Sequence, residues 1–123
     1  MEKEFIPYEQ ASILKELGFD EPCFGYYTGD KRHLVLRPNM GRRNEDLNDI
    51  VCTAPLYQQA FRWFREKRYR FNIVNDSTDI NGNYYYDVFF NGKFLFETDY
   101  IYKTYEEAEL ECLKKLIEIV KEK

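Results

Sequence analysis

The stretch Thr53 to Lys67 (TAPLYQQAFRWFREK) constrains the fold most, because its pattern fits little other than an amphipathic helix. Thr53 is a candidate N-cap, and Pro55 suits a first helical turn, where a missing N–H costs nothing. Leu56, Tyr57, Ala60, Phe61 and Phe64 recur at helical period and Trp63 widens the stripe. Gln58, Gln59, Arg62, Arg65 and Glu66 fill the opposite side. So broad an aromatic stripe must be buried, and this helix is expected to anchor a core.

Beyond Lys67 the chain reads as a sheet and a second helix. Tyr69 to Asn75 (YRFNIVN) alternates as a half-buried strand, and Asp76 to Asn83 (DSTDINGN) is turn chemistry. Tyr84 to Phe90 (YYYDVFF) is the strongest strand signal. Asn91-Gly92 then suits a type I′ turn, which needs φ > 0 at both central positions, and Lys93 to Glu97 returns as a third strand. Thr104-Tyr105-Glu106-Glu107 is a capping box. Behind it Ala108, Leu110, Cys112, Leu113, Leu116, Ile117 and Val120 keep helical spacing to the terminus.

The first part of the chain predicts smaller elements. A helix is expected over Tyr8 to Leu17, stopped by Gly18, and Phe19 to Pro22 leads out as a loop. Cys23 to Thr28 and His33 to Arg37 flank Gly29-Asp30-Lys31 as a hairpin, and Pro38 to Asn48 is a polar loop. Pro7-Tyr8-Glu9-Gln10-Ala11 faintly echoes Pro55-Leu56-Tyr57-Gln58-Gln59-Ala60.

With 123 residues the chain has room for one ordinary domain with a core. The expected fold is a single α+β domain. Residues 54–120 carry a three-stranded antiparallel sheet in α-β-β-β-α order, preceded by a short helix and a β-hairpin. The middle strand has aromatic rings on both faces, Tyr84, Tyr86 and Phe90 on one and Tyr85 and Phe89 on the other. A half-exposed sheet is polar outside. Residues 1–53 are therefore expected to pack on the sheet or extend it. The alternative is a partner surface, including one for a homodimer.

The helix–sheet–helix order, with a strand–Asn91-Gly92-Lys93–strand hairpin and a helix KTYEEAELECLKKL carrying Ala108, resembles the double-stranded-RNA-binding domain. That family meets phosphates with a basic S-K-K-x-A-K opening of its last helix. The matching run here is Thr104-Tyr105-Glu106-Glu107-Ala108-Glu109, acidic where the charge must be positive. The resemblance thus implies the topology and argues against the activity. IPYEQASILKELGFDEPCFGYY and APLYQQAFRWFREK also resemble segments of small uncharacterised proteins of phages, prophages and mobile elements of gut bacteria. That resemblance implies a cytosolic accessory protein.

Several functions lack the residues they need. Cys23, Cys52 and Cys112 form neither a CxxC pair nor an even set, so no disulfide framework or zinc site is expected, and reduced buried thiols fit best. Residues 1–20 lack signal-peptide order, and no run approaches the length of a membrane span, so a cytoplasmic protein is expected. His33 is the single histidine and no G-x-S-x-G element is present. A nucleophile would need His33 beside a cysteine, with Cys23 on the facing strand as the nearest in the pattern, and no third residue to orient it. Asp79-Ile80-Asn81-Gly82 lacks the ligand run of a calcium loop, and there is no phosphate-binding glycine motif. Neither a cofactor nor a metal is expected.

Charge is uneven. Residues 1–53 carry 7 basic and 10 acidic side chains, residues 54–75 carry 5 and 1, and residues 76–123 carry 6 and 11. The basic island is Arg62, Arg65, Lys67, Arg68 and Arg70, with Tyr69, Gln58 and Gln59 nearby, a mixture that can hold phosphates and stack on bases. The overall charge of −4 opposes that use. The leading expectation is a small non-enzymatic protein-interaction or regulatory module, using its aromatic surface and charge asymmetry to recognise another protein. The alternative is a nucleic-acid-binding accessory protein using the basic island, and an enzyme built on carboxylates ranks third.

Overall fold

Pro7, extended at φ −61° and ψ 156°, feeds helix α1 (Tyr8–Glu16) without a side-chain cap. The helix ends where a left-handed residue is needed. Gly18 takes φ +100°, its N–H donates to the Lys15 carbonyl, and the Phe19 N–H donates to the Leu14 carbonyl at 2.9 Å. That is the paired closure of a Schellman motif, and both Phe19 and Leu14 are buried beside it. These elements belong to a computed structural model that describes residues 2–28, 33–36, 52–75, 82–99 and 101–122. The fold is α+β, with two three-stranded antiparallel sheets, and the chain divides into two compact units, Met1–Phe61 and Arg62–Lys123.

In the first unit β1 (Gly25–Tyr27) is the middle strand between β2 (Leu34–Leu36) and β3 (Cys52–Ala54). The β1–β2 hairpin matches expectation, with Tyr26 opposite Val35 and the Thr28 N–H donating to the His33 carbonyl. Its turn, Gly29-Asp30-Lys31, together with Arg37 and the loop at 38–48, lies outside the described residues. Gly25 has a packing reason. A Cβ there would meet Leu34 Cδ1 at 3.2 Å and Leu36 Cδ2 and Phe5 Cε1 at 3.3 Å. Tyr27 is buried, its hydroxyl donates to the Ile6 carbonyl at 2.6 Å, and its ring meets Tyr8 edge-on.

Strand β3 corrects the helix start. Thr53 is not an N-cap; it lies in β3 opposite Tyr26 and is fully buried. Pro55 precedes the helix, and its carbonyl accepts from the Ile6 N–H at 2.9 Å while Phe5 bridges Leu56. The residues just before the first of the two echoing segments thus pair with the start of the second. Helix α2 (Tyr57–Glu66) begins after Leu56, whose N–H donates to Gln59 Oε1 at 3.0 Å. Gln59 supplies the returning half of a capping box without a hydroxyl at the cap. Among the described residues β3 completes a three-stranded sheet within the first unit, in the order β2-β1-β3.

In the second unit the sheet order is β4 (Tyr69–Asn75), β5 (Tyr84–Phe90), β6 (Lys93–Glu97), followed by α3 (Tyr105–Lys121). This is the expected α-β-β-β-α order. β4 and β5 pair along their full lengths, from Tyr69 opposite Phe90 to Asn75 opposite Tyr84. Of the 76–83 turn, Asp76 to Asn81 lie outside the described residues. Asn91 and Gly92 take φ +51° and +83°, as a type I′ turn requires. Thr104 caps α3, accepting from the Glu107 N–H at 3.1 Å, while Glu107 Oε2 accepts from the Lys103 N–H instead of that of Thr104.

Helix α3 covers one face of this sheet. On that face Tyr69, Tyr86 and Val88 are buried, against Ala108, Cys112, Leu113, Leu116 and Ile117 from the helix. Tyr69 meets Phe64 of α2 edge-on and Phe90 at a tilt. Lys115 lies 4.1 Å over the Phe96 ring, which places Phe96 on the α3 side too.

Candidate functional site

The basic island is built around the end of α2, where a helix leaves carbonyls without partners and a partial negative charge. The Lys67 N–H donates to the Phe64 carbonyl and the Arg68 N–H to the Arg65 carbonyl at 2.9 Å. Arg68 stops the helix at φ +75°, a conformation usually left to glycine. Its carbonyl accepts from the Asn91 N–H at 2.9 Å, tying the helix end to the β5–β6 turn. The Arg70 guanidinium folds back, with one nitrogen donating to the Arg65 carbonyl at 3.0 Å and to the Tyr69 carbonyl at 3.1 Å.

Three of the other four cations are also engaged. Arg62 lies 3.9 Å from Glu66 along the helix, Lys67 sits 4.5 Å over the Trp63 ring, and Arg68 reaches Asn91 Oδ1 at 3.5 Å. Arg62, Arg65, Lys67, Arg68 and Arg70 are all exposed, so their charge reaches solvent. Tyr69 is buried and offers no stacking platform. Gln59 uses both ends of its amide, accepting from Leu56 and donating to the Pro22 carbonyl at 2.8 Å. Gln58 is exposed. The structure therefore gathers the five cations at one helix end and gives Tyr69 and Gln59 structural work.

A second surface arises on the sheet face turned away from α3. Cross-strand partners share a face, so Arg70, Phe89 and Phe94 form one row and Asn72, Asp87 and Glu97 the next. Strict alternation along KFLFE would place Phe94 and Phe96 on the same face. A β-bulge prevents this: Phe89 faces Phe94, Val88 faces Phe96, and Leu95 is the extra residue between them. Phe96 is thereby turned toward α3 and Phe94 away from it. Phe94 is 59% exposed and Leu95 42% exposed, and the Phe94 ring meets Phe89 edge-on at 5.8 Å.

The neighbouring row is acidic. Asp87 and Glu97 are directly opposite each other, an arrangement of like charges that weakens a sheet. Asn72 donates to Asp87 Oδ1 at 2.8 Å, which holds that carboxylate in place. Alternation in the sequence puts Phe89 and Asp87 on one face correctly. It misses Phe94, Leu95 and Glu97 as a group with them, because nothing in KFLFE marks the bulge.

The thiols considered as nucleophiles are buried and hard to ionise. Cys23, Cys52 and Cys112 are free and buried. Burial pushes the Cys23 thiol up to about 12 and the Cys52 thiol to about 11, and raises Cys112 as well. A nucleophilic thiol needs the opposite shift. The Cys23 thiol donates to the Glu21 carbonyl at 3.4 Å, and His33 is exposed beside the hairpin turn. No group of three or more metal-ligating side chains occurs among the described residues, and no described helix is long and apolar enough to cross a membrane. No family model, curated protein or solved structure matches the chain.

Proposed function

We propose that the chain is a small non-enzymatic protein-interaction or regulatory module, and that its recognition surface is the sheet face carrying Phe89, Phe94 and Leu95. The exposure of Phe94 carries this reading. A ring left mostly in water keeps only its edge contact with Phe89 and forgoes most of the burial a core site would give it, whereas exposed aromatic side chains are the usual anchors of protein interfaces. The charge asymmetry adds orientation, since charged rims steer encounter more than they add affinity. An accessory role in the cytoplasm of a bacterial host, as the mobile-element resemblance implies, fits a module of this size.

The test compares the protein with its Phe94→Ser and Arg65→Ala/Arg68→Ala variants, each immobilised and exposed to nuclease-treated lysate and, separately, to labelled single-stranded DNA and duplex RNA. Proteins retained by the native chain and lost with Phe94→Ser are expected, with no polynucleotide binding at moderate salt. Polynucleotide binding that weakens steeply with salt and disappears in the double Arg variant would replace this reading with nucleic-acid binding through the basic island.

A further inference from the structure

We infer that the partner segment is basic, with an apolar anchor: an extended or helical peptide stretch that places a large apolar side chain against Phe89, Phe94 and Leu95 and its Lys or Arg residues beside Asp87 and Glu97. The inference rests on the protein-interaction reading above and adds the chemistry of the partner.

The charges of the face decide the occupant. The Arg70 guanidinium is drawn to the end of α2 by the Arg65 and Tyr69 carbonyls. The cation of the aromatic row is therefore turned toward backbone oxygens, and Phe94 sits at the far end of that row. The next row sets Asp87 opposite Glu97 across the ladder, and Asp99 is only two residues further along the chain. Two carboxylates opposed across a ladder repel each other, and a cation from a partner relieves that repulsion. The exposed Phe94 ring adds a face over which a guanidinium or ammonium group can rest.

The same charges disfavour the other occupants. A second copy stacked on this face would bring its own Asp87 and Glu97 against these carboxylates. A polynucleotide or an anionic lipid surface would be repelled for the same reason. Pairing along the β6 edge is obstructed as well, because the bulge at Leu95 interrupts its ladder, a common protection of sheet edges. The partner therefore meets the face, not the edge.

Two synthetic peptides of equal length test this by amide chemical-shift titration of the full chain at low and at physiological salt. One carries Leu and Phe anchors among Lys and Arg; the other keeps the anchors and replaces every Lys and Arg with Glu. Shifts confined to Asp87, Phe89, Phe94, Leu95 and Glu97 are expected with the basic peptide, with the acidic one binding about tenfold more weakly or not at all. Asp87→Asn/Glu97→Gln should weaken the basic peptide by about threefold or more, within the range of two exposed ion pairs. The amide spectra of the variants report whether the fold is kept. Equal or tighter binding of the acidic peptide, or shifts centred elsewhere, would overturn the inference. So would no binding of either peptide. The broader interaction reading fails separately, if Phe94→Ser leaves the lysate-captured proteins unchanged.

Discussion

Replacing Arg68 with glycine should stabilise the protein, although it removes a side chain that bonds Asn91. Arg68 sits at φ +75°, where an L-residue costs about 1–2 kcal/mol through the approach of its Cβ to the following carbonyl. Glycine removes that cost but gives back about 0.5–1 kcal/mol in the larger entropy of its unfolded chain. The bonds that define the site are made by the backbone: Arg68 N–H to the Arg65 carbonyl, and Asn91 N–H to the Arg68 carbonyl. Both survive the change. The side-chain bond to Asn91 Oδ1 is long, at 3.5 Å, and exposed, so its loss is worth little. A net gain of about 0.5–1 kcal/mol remains, a shift of a few degrees in Tm for a chain of this length. Urea unfolding at matched m-values measures it, with Arg68→Ala as the control. Alanine keeps the left-handed strain and removes the same charge. A destabilised glycine variant would refute the strain argument, and an alanine variant that gains as much would assign the effect to charge repulsion among the neighbouring arginines.

Three more outcomes are expected from the same structure. Phe64→Ala should cost about 3–5 kcal/mol in urea unfolding, because Phe64 is fully buried between Trp63 and Tyr69 and alanine leaves a cavity. Thr104→Ala should cost about 1 kcal/mol by the same assay, since the Glu107 N–H loses its acceptor, and Thr104→Asp should recover most of it. Stability measured by tryptophan fluorescence should be insensitive to the thiols below pH 9 and fall above it. The folded-state pKa values of Cys23 and Cys52 are raised from 9.0 to about 12 and about 11, so the native state holds these protons while the unfolded chain releases them. The loss runs from pH 9 through about 11–12 and amounts to about 1.4 kcal/mol per pH unit for each thiol; Cys23→Ala/Cys52→Ala should make it shallower, leaving the share of Cys112 and Tyr86, which burial also holds protonated.

Much of the second unit was legible because its signals are local. Tyr69–Asn75, Tyr84–Phe90 and Lys93–Glu97 are bounded by turn residues and apolar alternation, and Asn91-Gly92 encodes its own turn. Thr104 and Glu107 mark the start of α3 through groups within one turn of each other. Strand β3 was not legible. Its three residues, Cys52 to Ala54, pair with Gly25 to Tyr27 far back in the chain, and a three-residue strand has no period to read. Thr53 is equally suited to an N-cap and to a buried strand, and only the distant partner decides. The cap of α2 was hidden for a related reason: Gln59 does the capping from inside the helix, where the pattern had assigned it to a solvent face.

The basic island and the outer sheet face show why charge in a sequence is a poor guide to a site until the heads are placed. Five cations within nine residues invite a phosphate. Yet they surround the carbonyl end of α2, where the backbone itself demands positive charge, and Arg70 meets that demand directly at the Arg65 carbonyl. An anion at this end would compete with the Arg65 and Tyr69 carbonyls for Arg70. The opposed Asp87 and Glu97 have the contrary character. They cost the sheet stability, the carboxylate of Asp87 is held by Asn72 rather than neutralised, and they adjoin an aromatic residue that the bulge keeps out of the core. Charges that complete a helix are accounted for by folding. Charges that oppose it, beside an exposed ring, are the ones the proposed basic partner would neutralise.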